Sequence, residues 1–366
     1  MDTTLNRRAL LKTASAAVLG VSLGGCANAS NPSRAFAKVK VSPDRVIRTT
    51  VGLRPFRTSG FLVRGDRFDE TTIVHNYGHG SNGVSMSWGT AHLAMEEAMK
   101  TGEKTAAVLG CGAVGLATAR LLQRQGLEVT IYAKDVPPNT TSNMSAAWFS
   151  AGLGGDPGMR TPEYLRQQAR AARLAHRYFQ DLVSDHYGVR WIERYALSDM
   201  PPEDAAAADP LGDLKPENRQ LAPHEHPFPR RYAQHFWTML IEPSIYLEAV
   251  LRDVLLAGGR LVVREFDSLE AILALPEKLI VNCTGLGSKT LFGDDELIPI
   301  KGQLTVLLPQ PEVDYIMGTS GLSIIPRRDG VLLGQTWERG EASLQPSPSE
   351  MQRVMTGLTQ FFAEMT

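Results

Sequence analysis

The residues best placed to do chemistry begin at Gly110, where Gly110, Gly112 and Gly115 form the pattern GxGxxG. That spacing suits a dinucleotide pyrophosphate. The first glycine allows a tight strand-to-helix turn, the second lets backbone N–H groups approach the phosphates, and the third lets helix and strand pack closely. The helix N-terminus adds about half a positive charge. The context agrees: residues 105–110 read as a strand, 113–125 as a helix, and EVTIYAKD as a second strand. Gly110, Gly112, Ala113, Val114 and Gly115 are therefore expected to line a nucleotide. Asp135 suits a ribose hydroxyl, whereas neighbouring Lys134 would suit an adenosine phosphate. His75 and His79 could suggest a metal pair, but no cysteine or carboxylate stands at ligand spacing, so both read as structural. His224 and His226 read the same way, and no metal is expected.

The elements that position this loop must come from a well-cored chain. It has 366 residues, 38 Lys+Arg against 39 Asp+Glu, 43% hydrophobic and 21% charged residues. That composition excludes wholesale disorder, and the balanced charge leaves no footprint for nucleic acid. Cys26, Cys111 and Cys283 are too few for a disulfide scaffold. No apolar stretch reaches the roughly 20 residues that span a bilayer. Residues 45–51 read as a strand entering GLRPFR, and a strand ending at His75 enters a loop holding Gly78, Gly80 and Gly83. A helix over residues 87–100 follows, with Ser85 or Ser87 as its N-cap. Residues 162–186 read as a long amphipathic helix and 199–231 as an irregular surface excursion. Residues 243–256 return to helix, several strands follow between 260 and 335, and 349–363 form a last helix.

The first residues read as an address. Arg7 and Arg8 precede an uncharged, weakly apolar run over 14–24, which resembles a twin-arginine export signal. Leu23-Gly24-Gly25-Cys26 resembles a lipobox, in which Cys26 carries lipid. This places the protein outside the cytoplasm, in the periplasm or anchored at a membrane surface. Residues 31–43 read as a polar linker.

Four segments carry a resemblance to a known family: GLRPFR, HNYGHGSNGVSMSWGTA, NCTGLGSKTLFGDDELIPIKGQL and SIIPRRDGVLLGQT. Together they resemble the D-amino-acid oxidase family of FAD enzymes, from about residue 46 to the end of the sequence. The order differs. In that family the GxGxxG strand comes first and the GLRP and HNYGHG segments come last, whereas here those two precede Gly110. A circular permutation accounts for this, with the family's C-terminal helix joined to its N-terminal strand through residues 101–104. A separate N-terminal unit followed by a truncated oxidase is the alternative. Permutation predicts that Thr366 lies within a short loop's reach of residues 45–51, because domain termini often meet at the surface.

The resemblance implies a mixed α/β fold: an FAD-binding Rossmann-like part and a smaller mixed-sheet substrate part. Residues 1–41 would be signal and linker, and 42–103 the permuted segment. Residues 104–160 with 243–300 would bind FAD, and 161–242 with 301–366 would form the substrate part. By resemblance Arg54 is the substrate-carboxylate arginine, able to give two parallel charge-assisted hydrogen bonds, while Arg57 is structural. Gly80, Ser81, Asn82, Gly83, Val84 and Ser85 would lie against the flavin ring. The helix behind them would aim its positive end at the ring, and Ser81 would also receive the substrate amine on its carbonyl. Thr140, Thr141 and Ser142 match a turn that contacts flavin phosphates, and Thr284 and Gly285 match the second nucleotide-contacting strand end. Gln303 would support the sheet under the flavin, or be an ordinary sheet glutamine. Ser323 stands where the family has a pocket tyrosine, and the segment before it is too short for a tyrosine-bearing lid.

The implied activity is oxidative deamination of D-amino acids. Hydride passes from the α-carbon to flavin, the imine hydrolyses to a keto acid, and O2 becomes H2O2, with no side-chain base. A membrane-associated dehydrogenase passing electrons to a quinone is the enzymatic alternative. A catalytically impaired FAD-binding protein is the other.

Overall fold

The computed structural model describes residues 36–201 and 211–366. The expected export signal, with Arg7, Arg8 and Cys26, lies outside them. No described helix is long and apolar enough to cross a membrane.

In chain order the first half holds β1 (Val46–Arg57), β2 (Leu62–Phe68), β3 (Thr71–Tyr77), α1 (Ser87–Met99), β4 (Thr105–Leu109), α2 (Ala113–Arg124), β5 (Glu128–Ala133), α3 (Pro162–Asp181) and β6 (Val189–Ser198). The second half holds β7 (Arg219–Leu221), β8 (Tyr232–Ile241), α4 (Pro243–Leu256), β9 (Arg260–Val263), α5 (Leu269–Leu273), β10 (Leu279–Asn282), α6 (Gly287–Phe292), β11 (Leu297–Leu307), β12 (Tyr315–Thr319), β13 (Leu322–Arg327), β14 (Gly330–Gly334), β15 (Glu338–Arg339) and α7 (Pro348–Glu364).

These strands form two sheets. A six-stranded sheet runs β2-β3-β10-β4-β5-β9, parallel except for the β2–β3 hairpin. Ile73, Val74, Ala106, Val108, Ile280 and Val281 are fully buried, as expected of strands covered on both faces. A nine-stranded sheet runs β1-β11-β14-β13-β12-β6-β8-β7, with β15 also on β11. One of its faces packs on α7 through Leu333, Ile324, Met317, Leu358 and Phe361. The other gathers Ile192, Leu240, Leu304, Val306, Ile316, Ile325 and Leu332, with Trp148 against them. The mixed α/β architecture is as expected.

Several local expectations are corrected. The GLRP segment is the middle of one continuous strand, β1, zipped antiparallel to β11 from Arg57↔Leu297 to Val46↔Leu307. Strand β3 runs on to Tyr77 rather than stopping at His75. The helix after it is not capped by Ser85 or Ser87; Met86 takes the cap position without a side-chain bond, and the Ser87 hydroxyl donates to the Val84 carbonyl. Helix α3 stops at Asp181, not at 186, because Ser184 turns back onto Val189 through Gly188 at φ +60°. Residues 36–41 are no loose linker. Val39 is buried, the Tyr315 hydroxyl donates to the Ala37 carbonyl, and Lys40 and Gln310 exchange hydrogen bonds. Lys38 Nζ donates to the Met365 carbonyl, so this strap lies beside the last residues of the chain.

Candidate functional site

The dinucleotide loop forms as its residue types require. Gly110 has φ +106°, and a β-carbon there would sit 2.6 Å from the Cys283 carbonyl oxygen. A β-carbon on Gly115 would sit 2.0 Å from the Gly110 carbonyl oxygen, so only glycine lets α2 approach the turn. Helix α2 begins after Gly112 with no side-chain cap on that residue and no acid in its first turn, which leaves Val114 and Gly115 at a positive helix end. Ala113 N–H is taken by Ser142 Oγ at 3.0 Å, which ties the 141–144 turn to the loop. These features fit an anionic dinucleotide.

The other expected contacts surround this loop. Asp135 is exposed just beyond β5, and Lys134 faces Glu265 at 3.4 Å. Thr140 is buried, and its hydroxyl donates to Asn143 Oδ1 rather than pointing outward; Thr141 is exposed. Thr284 donates to Asn282 Oδ1, and a β-carbon on Gly285 would sit 3.7 Å from Pro55. Gly52 faces the Thr141 carbonyl and Met144. The strand bearing Arg54 is thus laid across both nucleotide turns.

The loop over residues 80–85 closes the other side. Gly80 is buried at φ +60° against Phe56, and Ser81 is exposed at the tip. Asn82 Nδ2 donates to the Gly152 carbonyl at 2.9 Å and Ser85 Oγ to the Ser150 carbonyl at 2.9 Å. Gly83 and buried Val84 lead into α1. The two histidines of this motif are satisfied within the protein. His75 meets Asn282 at 3.1 Å and Asp66 at 3.3 Å; His79 meets the Thr90 hydroxyl at 2.8 Å.

Arg54 and Arg57 stand three residues apart and differ in kind. Arg57 donates to Asp294 at 2.9 Å and to Glu296 at 2.7 Å. Burial alone would raise the Asp294 carboxyl, but hydrogen bonds from Arg57 and Tyr77 outweigh it and hold it below the ordinary range. Arg54 has no carboxylate within ion-pair distance among the described residues. Its Nη1 reaches only two backbone carbonyls, Thr336 at 3.2 Å and Lys301 at 3.4 Å. The guanidinium lies under Trp337, 5.3 Å from the ring centroid, and burial lowers its pKa. A half-buried charge held by two carbonyls and a ring face is a ready partner for an incoming anion.

Ser323 lies on the same face of the sheet as Arg54. It is buried between Gly318 and Gly334 in register, and its hydroxyl has no hydrogen-bond partner. The Ser320-Gly321 turn that joins Thr319 to Leu322 leaves no room for a lid in this segment. Gln303 does not lie on this face. It clamps Ser347, at the start of α7, through bonds of 2.6 and 3.0 Å. Cys111 and Cys283 are free thiols, each pushed up to about 12 by burial. Sequence reasoning missed Trp148, Arg194 and Trp337. The first two depend on β6 and β8, whose pairing was unread, and Trp337 gave only the signal of an aromatic beside a turn.

This cradle and its two sheets define a dinucleotide-binding α/β protein. A family model described as FAD dependent oxidoreductase matches residues 105–366. That is well over half of the chain, and the chain belongs to this family. It is 28% identical to the D-amino-acid oxidase of Rubrobacter xylanophilus over 261 residues, 68% of this chain and 74% of that protein. It is also 28% identical to the D-aspartate oxidase of Homo sapiens over 260 residues, 68% of this chain and 73% of the relative. Among solved structures, glycine oxidase from Bacillus cereus superposes with a TM-score of 0.52 at 14% identity, covering 70% of this chain and 77% of its own.

Proposed function

We propose that this chain is an exported, FAD-dependent oxidase of D-amino acids, built from a circularly permuted form of the family's chain. The observation that carries the activity is Arg54, a half-buried guanidinium without a carboxylate among the described residues, on a strand laid between the two nucleotide turns. The names of the relatives support an amino-acid substrate.

In this reading Gly110–Gly115 and the N-terminus of α2 would hold the pyrophosphate, with Ser142 and Gly285 beside them. Asp135 takes the ribose. Residues 104–160 with 243–300 hold FAD, and 161–242 with 301–366 shape the substrate side. FAD held there would supply a hydride acceptor for the α-hydrogen of a neutral amine, with O2 or a quinone as the final acceptor. Arg54 binds the α-carboxylate bidentately and so fixes the α-carbon, and the Ser81 carbonyl receives the amine. The chain contributes position and charge rather than a side-chain base.

Three observations support the permutation. β3 joins the parallel sheet directly beside β10, β1 is zipped to β11, and the strap at Lys38 reaches Met365. Export and a lipid on Cys26 rest on the sequence alone.

Anaerobic titration tests the activity. The purified protein is expected to be yellow and to bleach with D- but not L-amino acids. Peroxide yield in air separates oxygen from a quinone as acceptor. A colourless protein would overturn the FAD assignment. Ser323 favours a second reading, an FAD-binding protein without catalysis, because a serine does not span the distance a tyrosine hydroxyl would. That protein would stay oxidised with every amino acid offered.

A further inference from the structure

The sheet face that carries Arg54 carries a second arginine in the same condition. Arg194, on β6, sits opposite Ile316 of β12 and Phe236 of β8. Paired residues share a face and alternate residues return to it. Following the register, Arg194, Gly318, Ser323, Gly334, Leu304, Gly302 and Arg54 all stand on one side of the sheet.

Arg194 is held by rings rather than by anions. Its guanidinium lies 5.3 Å from the ring centroids of both Trp148 and Phe236, and its Nη2 lies 3.7 Å from where a β-carbon on Gly318 would be. Its Nε is sealed from solvent without a hydrogen-bond partner, and no carboxylate pairs with it among the described residues. Burial lowers its pKa to about 10, which still leaves it charged near neutrality. Other arginines that come from the same sheet do find carboxylates: Arg57 has Asp294 and Glu296, and Arg327 has Asp329. Stacking on two rings offsets part of the desolvation, but the hydrogen-bonding edge remains unmet. An apolar side chain of similar size would serve the fold as well.

Between the two guanidinium groups the sheet presents Gly302, Gly334 and Gly318 with the unpaired hydroxyl of Ser323 among them, and the Leu304 side chain lies over Gly334. We propose that Arg194 is a second anion subsite of this pocket, docking the side-chain carboxylate of an acidic amino acid whose α-carboxylate lies on Arg54. This rests on the role given to Arg54 above. Arg54 reaches over Gly302 of β11 and Arg194 over Gly318 of β12, three strand spacings across the sheet and two residues along it, roughly 16 Å apart. With a carboxylate on each, the span suits an acid of glutamate length or longer and leaves aspartate short.

The test uses the FAD-loaded enzyme and two variants, Arg194→Met and Arg194→Lys. Parent enzyme is expected to be reduced anaerobically at lower concentrations of D-glutamate than of D-norvaline, a neutral acid of similar length. In Arg194→Met the half-saturating D-glutamate rises about 10- to 100-fold, while that of D-norvaline holds or falls. Arg194→Lys recovers part of the loss. Calorimetric binding of glutarate and butyrate, which need no turnover, should divide in the same way. Equal losses for both substrates, or a parent that binds glutarate no better than butyrate, would overturn the subsite. If Arg194→Met does not fold, the glutarate-to-butyrate ratio of the parent decides alone. A parent that binds glutarate tightly yet is reduced by no amino acid would uphold Arg194 and sink the oxidase reading.

Discussion

The guanidinium of Arg54 fills the space that a β-carbon on Gly302 would need: that carbon would lie 2.3 Å from both Nη atoms and 2.4 Å from Cζ. The glycine of IKGQL is therefore a seat for the arginine of the partner strand. Gly302→Ala should push the guanidinium off its two carbonyls while β1 and β11 stay paired. Half-saturating amino acid is expected to rise about tenfold or more, since the bidentate geometry is lost before the charge is. Flavin content should not change. Stopped-flow reduction at graded substrate measures both, and an unaltered concentration dependence would remove Arg54 from the carboxylate.

Arg54 and Arg57 should respond oppositely to truncation. Arg54→Ala removes a half-buried charge that has no anionic partner among the described residues, so the melting temperature should hold or rise while substrate binding collapses. Arg57→Ala strands Asp294 and Glu296 in a partly buried turn and should cost about 2–3 kcal/mol of stability. Thermal melts beside substrate titrations would show the crossing. Two variants equally unstable would mean that both arginines serve the fold.

Flavin retention should depend on Gly115. Gly115→Val places branched carbon where even a β-carbon meets the Gly110 carbonyl oxygen at 2.0 Å, and that oxygen is backbone, unable to swing away. The variant should be recovered without bound flavin, read as the ratio of visible to ultraviolet absorbance. Full flavin occupancy would place the cofactor elsewhere.

The nucleotide loop and the identity of Arg54 were legible because both are local: spacing and a short motif carry them, and tertiary structure only positions them. What escaped the sequence was pairing at long range. Arg194 sits in the run Val-Arg-Trp-Ile-Glu-Arg-Tyr, whose two arginines share one face of the strand, and only the tertiary structure shows that Arg190 meets Glu242 while Arg194 lies beside Gly318 and Phe236. Residues 36–41 interleave two lysines with four apolar residues in a run too short to read as an element, yet Val39 and Phe36 pack on the core that α7 closes. The failure at the end of α3 is of another kind. Leu182 and Val183 continue a helical pattern equally well, and the turn at Gly188 wins because it lets Val189 begin a paired strand.

His79 should make the protein acid-sensitive. Its ring is buried against Phe61 and bonded to Thr90, and burial pulls its pKa from an ordinary 6.5 to about 3. Between those values the unfolded chain binds a proton that the folded chain refuses. Stability is therefore full above 6.5 and falls as pH drops towards 3, by up to about 1.4 kcal/mol per pH unit. Burial moves His75 and His176 in the same direction. Urea unfolding between about pH 7 and pH 5 should show the decline, and His79→Phe should be less stable at neutral pH yet decline less steeply. Parallel slopes would assign the sensitivity to other groups.

The permutation has a direct test in a rearranged gene. Residues 100–104 join α1 to β4 at the surface, and the strap at Lys38 touches the carbonyl of Met365. A chain that runs from Thr105 to Thr366, crosses a short Gly/Ser linker, and continues from Phe36 to Lys100 breaks only the first connection and bridges only the second. No strand pairing of either sheet is cut, and a linker of a few residues costs little in closure entropy. This chain should fold, bind flavin with the parent's spectrum and be reduced by the same amino acids. If it aggregates with longer linkers too, while the parent folds, then residues 36–100 are a later addition to the fold rather than its displaced end.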